Sequence, residues 1–182
     1  FICYDFKNDF FAAEGIIMLG NKTFNQKNHL EIAGCDVVQL AEEFGTPLYV
    51  YDEMLLRFNM KAYQNQLGEL YPESVVAYAG KAFLCSALCR ILDQEDMWLD
   101  AVSGGEYYVA RESGFPTERI LFHGNNKSPQ ERELILKNGI GRWVVDSEGE
   151  FSLISKEAKK YLHGKLPVFF RITPGIDPHT HA

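Results

Sequence analysis

Cysteine is scarce in this chain. Four residues, at positions 3, 35, 85 and 89 of 182, are too few and too scattered for a disulfide framework, so they read as reduced thiols of a cytoplasmic protein. Positive charge is the minority sign: 18 Lys and Arg stand against 25 Asp and Glu, for a net charge of −7. That balance argues against a surface built to neutralise nucleic-acid phosphates. Long apolar runs are also missing. The stretch Ile16-Ile17-Met18-Leu19, preceded by Glu14, is far short of a span, so neither a signal peptide nor a membrane anchor is expected. No Gly-x-Gly-x-x-Gly follows a strand, and the nearest approach, Gly139-Ile140-Gly141, precedes one, which weighs against a dinucleotide-binding fold. The sequence opens at Phe1 rather than methionine and ends just after Thr173-Pro174-Gly175 and a His-rich tail, so a fragment of a longer protein is expected.

With 46% apolar and 24% charged residues the chain can bury a core, and disorder is excluded. Val37, Leu40, Ala41 and Phe44 recur at helical spacing, with Asp36 placed to cap the start and Gly45 the end. Leu48 to Tyr51 reads as a strand, and Asp52 caps a second helix with core positions Leu56, Met60, Tyr63 and Leu67, ended by Gly68. Beyond residue 70, strand-like and helix-like runs alternate, as in consecutive βα units. The strands are predicted at Val75–Ala79, Met97–Val102, Ile120–His123, Trp143–Asp146 and Val168–Ile172, mostly continuous apolar runs suited to a sheet covered on both faces. Ser103…Glu106, Ser128…Glu131 and Ser147…Glu150 fit the Ser-x-x-Glu capping box, with Pro129 at a first helical position. Gly114, Gly139 and Gly164 follow the helical runs as candidate left-handed caps. The repeat predicts an α/β fold of (β/α)8 TIM type with about five of eight βα units present, and the unpaired edges of such a partial sheet favour association.

In such a barrel the chemistry sits where the strands end, so the polar residues closing each apolar run are the candidates: Lys81, Asp100, His123, Asp146 and Arg171. Lys81 follows Ala79-Gly80, small residues that leave room for a ligand, and invites a Schiff-base role because desolvation at a barrel mouth disfavours the ammonium. A solvated lysine just past a strand is the plain alternative. Ser103 and Glu106 are read simply as a helix cap. His123-Gly124-Asn125-Asn126-Lys127 offers a ring, two amides and an ammonium, and ordinary turn chemistry accounts for it equally well. Arg171, the charged residue of an apolar strand, needs a partner, for which Asp100 is the candidate. Cys85 and Cys89, at i and i+4, read as buried small side chains, since Leu92 stands where a third cluster cysteine would be. His179 and His181 have the spacing of two metal ligands, the basis of a metal-dependent hydrolase as a remote alternative. They lie beyond the strand, and no metal ligand is assigned.

The chain resembles the diaminopimelate decarboxylases, pyridoxal-phosphate enzymes of the alanine racemase-like barrel class. The residues that carry the resemblance run from His29 onward: His29-Leu-Glu-Ile-Ala-Gly34, Glu43-Phe-Gly-Thr-Pro-Leu-Tyr-Val-Tyr-Asp52, Ala77-Tyr-Ala-Gly-Lys-Ala82, Leu99-Asp-Ala-Val-Ser-Gly-Gly-Glu106, Phe122-His-Gly-Asn-Asn-Lys-Ser128 and Arg171-Ile-Thr-Pro-Gly175. The resemblance implies that Lys81 carries pyridoxal 5′-phosphate as a Schiff base, with Asp100 and Arg171 in the polar shell beneath the cofactor. His123 and Ala79 are added as cofactor-binding candidates. It implies loss of a carboxylate from meso-2,6-diaminopimelate to give L-lysine, the last step of lysine biosynthesis, in a cytoplasmic homodimer. Decarboxylases of ornithine, arginine or carboxynorspermidine share the Lys81 chemistry, but the His-Gly-Asn-Asn-Lys-Ser segment is more similar to the diaminopimelate branch. A non-catalytic pyridoxal-phosphate-binding barrel is the other alternative, and the Gly-Thr-Pro-Leu-Tyr-Val-Tyr segment argues against it. By the same resemblance, residues 1–15 are an unassigned extension, 16–51 the N-terminal part of a β-sheet domain, and 52–182 a partial barrel. The family's cofactor-stacking histidine, glycine-rich phosphate loop and substrate-binding residues come later than this stretch, so the fragment alone is expected to be inactive.

Overall fold

The computed structural model describes residues 2–3 and 21–175. The Ile16–Leu19 run and the pair His179 and His181 lie outside the described residues. The chain divides into two compact units, Phe1–Glu73 and Ser74–Ala182, which are described in turn.

In the first unit, β1 (Ile2–Cys3) pairs in parallel with β5 (Tyr51–Asp52), while β2 (Lys22–Phe24), β3 (Leu30–Ile32) and β4 (Cys35–Asp36) form an antiparallel meander. The β3–β4 hairpin turns on two residues, Ala33 at φ 48° and Gly34 at φ 74°, the left-handed pair that a tight hairpin of this twist requires. Helix α1 (Val37–Phe44) starts at Asp36 as expected: the carboxylate accepts from the Val38 and Gln39 N–H groups, and Gly45 at φ 80° ends the helix. Asp36 also receives Asn25 Nδ2 at 2.8 Å and faces His29 Nδ1 at 2.9 Å. Burial works to raise this carboxyl, but the bonds from His29, Val38 and Asn25 prevail and hold it at about 2. Leu40 and Ala33 form a small core with Cys35, Leu48 and Val50.

Two expectations change here. Of the strand predicted at Leu48 to Tyr51, only Tyr51 joins a ladder, together with Asp52, because only these two residues find a partner strand. Helix α2 (Glu53–Leu70) starts at Asp52 as predicted but runs through Gly68, since one glycine inside a helix costs only about 1 kcal/mol. On its predicted apolar stripe Met60 is buried, while Tyr63 stands 71% exposed.

The second unit is a five-stranded parallel sheet of β6 (Ala77–Ala79), β7 (Trp98–Ala101), β8 (Ile120–Phe122), β9 (Arg142–Val145) and β10 (Val168–Phe170). Every strand lies within its predicted run to within a residue. Helices α3 (Ser86–Gln94), α4 (Gly104–Glu112), α5 (Pro129–Asn138) and α6 (Glu148–Tyr161) connect them. The strand order is sequential, each strand beside its successor, so the order never reverses. A doubly wound sheet needs such a reversal. Crossovers of one hand between sequential neighbours put all the helices on one face, and neighbouring helices do pack side by side. This is an arc of a (β/α)8 barrel.

The pleat then sorts the side chains. Leu99, Ala101, Ile120, Phe122, Trp143 and Val145 face the helices and are 0–2% exposed. Their alternates in register, Ala77, Ala79, Trp98, Asp100, Leu121, Arg142, Val144 and Phe169, line the inner face of the arc. The helix starts follow the sequence. Ser128 and Glu131 form a full capping box, and Ser103 and Ser147 accept from the N–H groups of Glu106 and Glu150. In these latter two, the glutamate reaches back one residue further than the motif implies, to the N–H of Val102 at 2.9 Å and of Asp146 at 2.8 Å. Gly114 and Gly139 have positive φ as expected for helix ends, whereas α6 ends at Leu162 in extended backbone and Gly164 is no left-handed cap. Gly141 answers a different need: any side chain there would run into the Glu118 carbonyl. Among the described residues no helix is long and apolar enough to cross a membrane.

Candidate active site

The residues singled out at the strand ends converge on one rim. Register pairs Ala79 with Asp100 across β6 and β7, and the same pleat puts His123, Asp146 and Arg171, each one residue beyond its strand, on the inner face with them. The Arg171 N–H continues the ladder onto Val145 O at 2.9 Å, and the His123 N–H onto Ala101 O at 2.8 Å.

Lys81 follows β6 in a single 3-10 turn, Gly80–Ala82. Two contacts shape that turn. The Tyr78 hydroxyl donates to the Phe83 carbonyl at 2.9 Å, bracketing it. Gly80 is buried with no room for a side chain, since a Cβ would lie 2.9 Å from Glu106 Oε2 and 3.3 Å from the Asp100 carbonyl. The glutamate that caps α4 thus also seats the Lys81 turn against the end of β7. Lys81 itself is exposed and has no hydrogen-bond or ion-pair partner among the described residues.

The polar pairs differ from expectation in one respect. Arg171 does not meet Asp100: its guanidinium donates to Asp146 Oδ1 at 3.0 Å. The reason is topological, because β10 lies beside β9 and is separated from β7 by two strands, β9 and β8. Asp100 instead lies 3.8 Å from Nδ1 of His123, on the adjacent strand. The other ring nitrogen, His123 Nε2, is buried with no hydrogen-bond partner among the described residues. A depression of about 500 Å³ at the β9–β10 end of the rim is lined by Asp146, Ser147, Phe151, Phe170 and Arg171 among others.

Two features escaped sequence reasoning. Arg142 lies on the inner face over the rings of Trp98 and Phe169, at 5.6 and 5.9 Å. Lys127, read as an ammonium offered by a loop, is buried on the helix side of the sheet, 3% exposed and bonded to Gly124 O, Val144 O and Glu150 Oε1. The signal available was the spacing of Glu150 from a capping serine, but a capping glutamate and one that also neutralises a buried lysine look alike in sequence. Among the described residues, no group of three His, Cys, Asp or Glu is placed to hold a metal ion.

The family described as pyridoxal-dependent decarboxylase, pyridoxal binding domain, matches residues 55–182, well over half of the chain. The chain belongs to the pyridoxal-dependent decarboxylases. Over 162 residues it is 45% identical to the diaminopimelate decarboxylase of Bacillus methanolicus, a match covering 89% of this chain and 37% of that protein. It is also similar in structure to the diaminopimelate decarboxylase of Methanocaldococcus jannaschii in co-complex with L-lysine, with TM-score 0.79 and 38% identity over 90% of this chain and 39% of that one. The Helicobacter pylori diaminopimelate decarboxylase, also complexed with L-lysine, matches at TM-score 0.68 and 31% identity over 80% of this chain and 36% of its own. The chain thus spans a little over a third of the length of these decarboxylases. The matched segment takes in all five barrel strands and every rim residue named above.

Proposed function

We propose that this chain is the cofactor-anchoring part of a diaminopimelate decarboxylase that converts meso-2,6-diaminopimelate to L-lysine and CO2 with pyridoxal 5′-phosphate. In this reading residues 52–182 belong to the barrel and 16–51 to a β-sheet domain, and the complete protein works as a cytoplasmic homodimer. The observation that carries the proposal is the gathering of Ala79, Asp100, His123, Asp146 and Arg171 on one face and at one end of the parallel arc, with Lys81 just past its first strand. The 45% identity to a diaminopimelate decarboxylase, and the lysine held by two of the similar structures, support the choice of substrate.

The chemistry of the rim suits the cofactor. Lys81 offers an amine that no neighbouring carboxylate claims, the group needed to anchor an aldehyde covalently. Arg171, steadied by Asp146, offers a fixed cation for the anionic cofactor. The partnerless Nε2 of His123 is a buried polar atom suited to a polar group of a ligand, and a proton on its Nδ1 would face Asp100. When bound, pyridoxal phosphate supplies an electron sink for the pair left behind as the carboxylate departs. The small side chain of Ala79 leaves the inner face open beside Lys81.

The test is chemical. The purified chain is incubated with pyridoxal phosphate, reduced with borohydride and digested, and the modified lysine is located by peptide mass. Selective label at Lys81, absent from the Lys81→Ala variant, is the expected result. Label spread over the surface lysines with none favoured at Lys81 overturns the assignment. Release of CO2 from meso-diaminopimelate, in preference to ornithine or arginine, by the complete protein tests the substrate.

A further inference from the structure

The end of β9 is gripped at three consecutive backbone positions. Val144 O accepts from Lys127 Nζ at 2.8 Å, Val145 O accepts from the Arg171 N–H at 2.9 Å, and the Asp146 N–H donates to Glu150 Oε2 at 2.8 Å. Lys127 Nζ donates to the other oxygen, Glu150 Oε1, at 2.6 Å, and the Trp143 indole N–H donates to that same Oε1 at 2.8 Å. Lys127 gives its remaining proton to Gly124 O at 2.6 Å, so all three ammonium hydrogens are used. The ammonium also lies 5.5 and 5.9 Å from the ring centroids of Trp143 and Phe122.

A buried ion pair of this kind gives little net stability compared with apolar side chains of similar size, because desolvation of both charges offsets their attraction. What it does provide is direction, since each bond fixes a particular backbone group. Those groups flank the residue whose carboxylate holds Arg171. We propose that Lys127 and Glu150 form a positioning pair for the active site: by locking the end of β9 from the helix side of the sheet, they aim Asp146, and through it the Arg171 guanidinium, at the inner rim. The functional consequence rests on the reading of Arg171 as part of the cofactor shell. The positioning itself is a property of this chain and is tested without the cofactor.

The experiment measures how fast phenylglyoxal modifies each arginine of the full chain, resolved by peptide mass. An ion-paired guanidinium reacts more slowly than a released one. The variants are Lys127→Met and Glu150→Gln, with Tyr107→Phe as control, because the Tyr107 hydroxyl makes another buried polar contact on the helix side, to the Gly139 carbonyl at 2.7 Å, and bonds to neither Lys127 nor Glu150. Both strut variants are expected to speed modification at Arg171 about threefold, the protection that a half-exposed pair provides. Exposed Arg90 keeps its rate in every variant, and the control leaves Arg171 unchanged while lowering the melting temperature. Unchanged Arg171 rates in folded Lys127→Met and Glu150→Gln, or an equal rise in the control, overturn the proposal. Should Lys127→Met fail to fold, Glu150→Gln, which keeps the shape of the side chain, decides alone. Borohydride labelling of the same proteins is a separate arm. A wild-type chain that takes no label at Lys81 counts against the cofactor reading and leaves the Arg171 result standing.

Discussion

The two faces of the five-stranded sheet come from the same alternating strands yet are finished differently. On the helix side, Trp143 packs edge-on to Phe122 at 5.3 Å between ring centroids, and the polar groups that enter are matched: Tyr107 donates to the Gly139 carbonyl at 2.7 Å, and Trp143 and Lys127 both donate to Glu150. Burial pushes the Tyr107 phenol up to about 12, so it remains a donor at any physiological pH. On the inner side, His123 Nε2 has no partner among the described residues, Lys81 and Arg171 are exposed, and Asp100 stands 3.8 Å from His123 Nδ1. The contrast teaches a division of labour. Among the described residues, the helix face pairs its buried polar side chains and fixes the backbone, whereas the inner face leaves the Lys81 amine and one ring nitrogen of His123 without a partner.

That division can be tested by perturbing each face. Trp143→Ala removes the largest fully buried side chain among the described residues, leaving a cavity and one donor fewer on Glu150, so a loss of about 3–5 kcal/mol is expected in chemical denaturation. Ser128→Ala removes one half of the full capping box of α5, with an expected loss of about 1 kcal/mol by the same measurement.

A subtler effect concerns Glu131, which ties α5 to the start of α4 by accepting from the Gly104 N–H at 2.7 Å. Burial works to raise its carboxyl, but the N–H groups of Gly104 and Ser128, with the charge of Lys127, hold it below its ordinary value of 4.5. A carboxyl depressed in the folded state stabilises at pH above its ordinary value, and that contribution is lost as pH falls through the folded value. Stability measured from pH 5 downward should therefore fall less steeply in Glu131→Gln than in wild type. The smallest effect belongs to the inner face: Lys81→Ala should change stability by no more than about 0.5 kcal/mol while abolishing cofactor labelling. A large loss of stability in that variant would erase the distinction between the faces.

Much of this was legible in the sequence because the signals are local. Continuous apolar runs marked the five strands, and serines three residues before glutamates marked the starts of α4, α5 and α6, since capping and strand propensity act within a few residues. Strand ends then named Lys81, Asp100, His123, Asp146 and Arg171 as rim candidates. The partner of Arg171 was not legible. Asp100 and Asp146 are equally plausible partners until the strand order and register are known. Lys127 was misjudged for a related reason: a loop lysine next to two asparagines looks solvated, and only the approach of Glu150 and Val144, 23 and 17 residues away, gives it a buried site.

The sequence by itself determined where the chain turns, which segments become strands and helices, and which residues stand at the ends of those strands. The tertiary structure decided which of those residues meet. Pleat and register select the face, strand order selects the neighbour, and a buried charge is tolerated only where distant backbone and carboxylate groups converge on it. Those are long-range conditions, and no short window of sequence contains them.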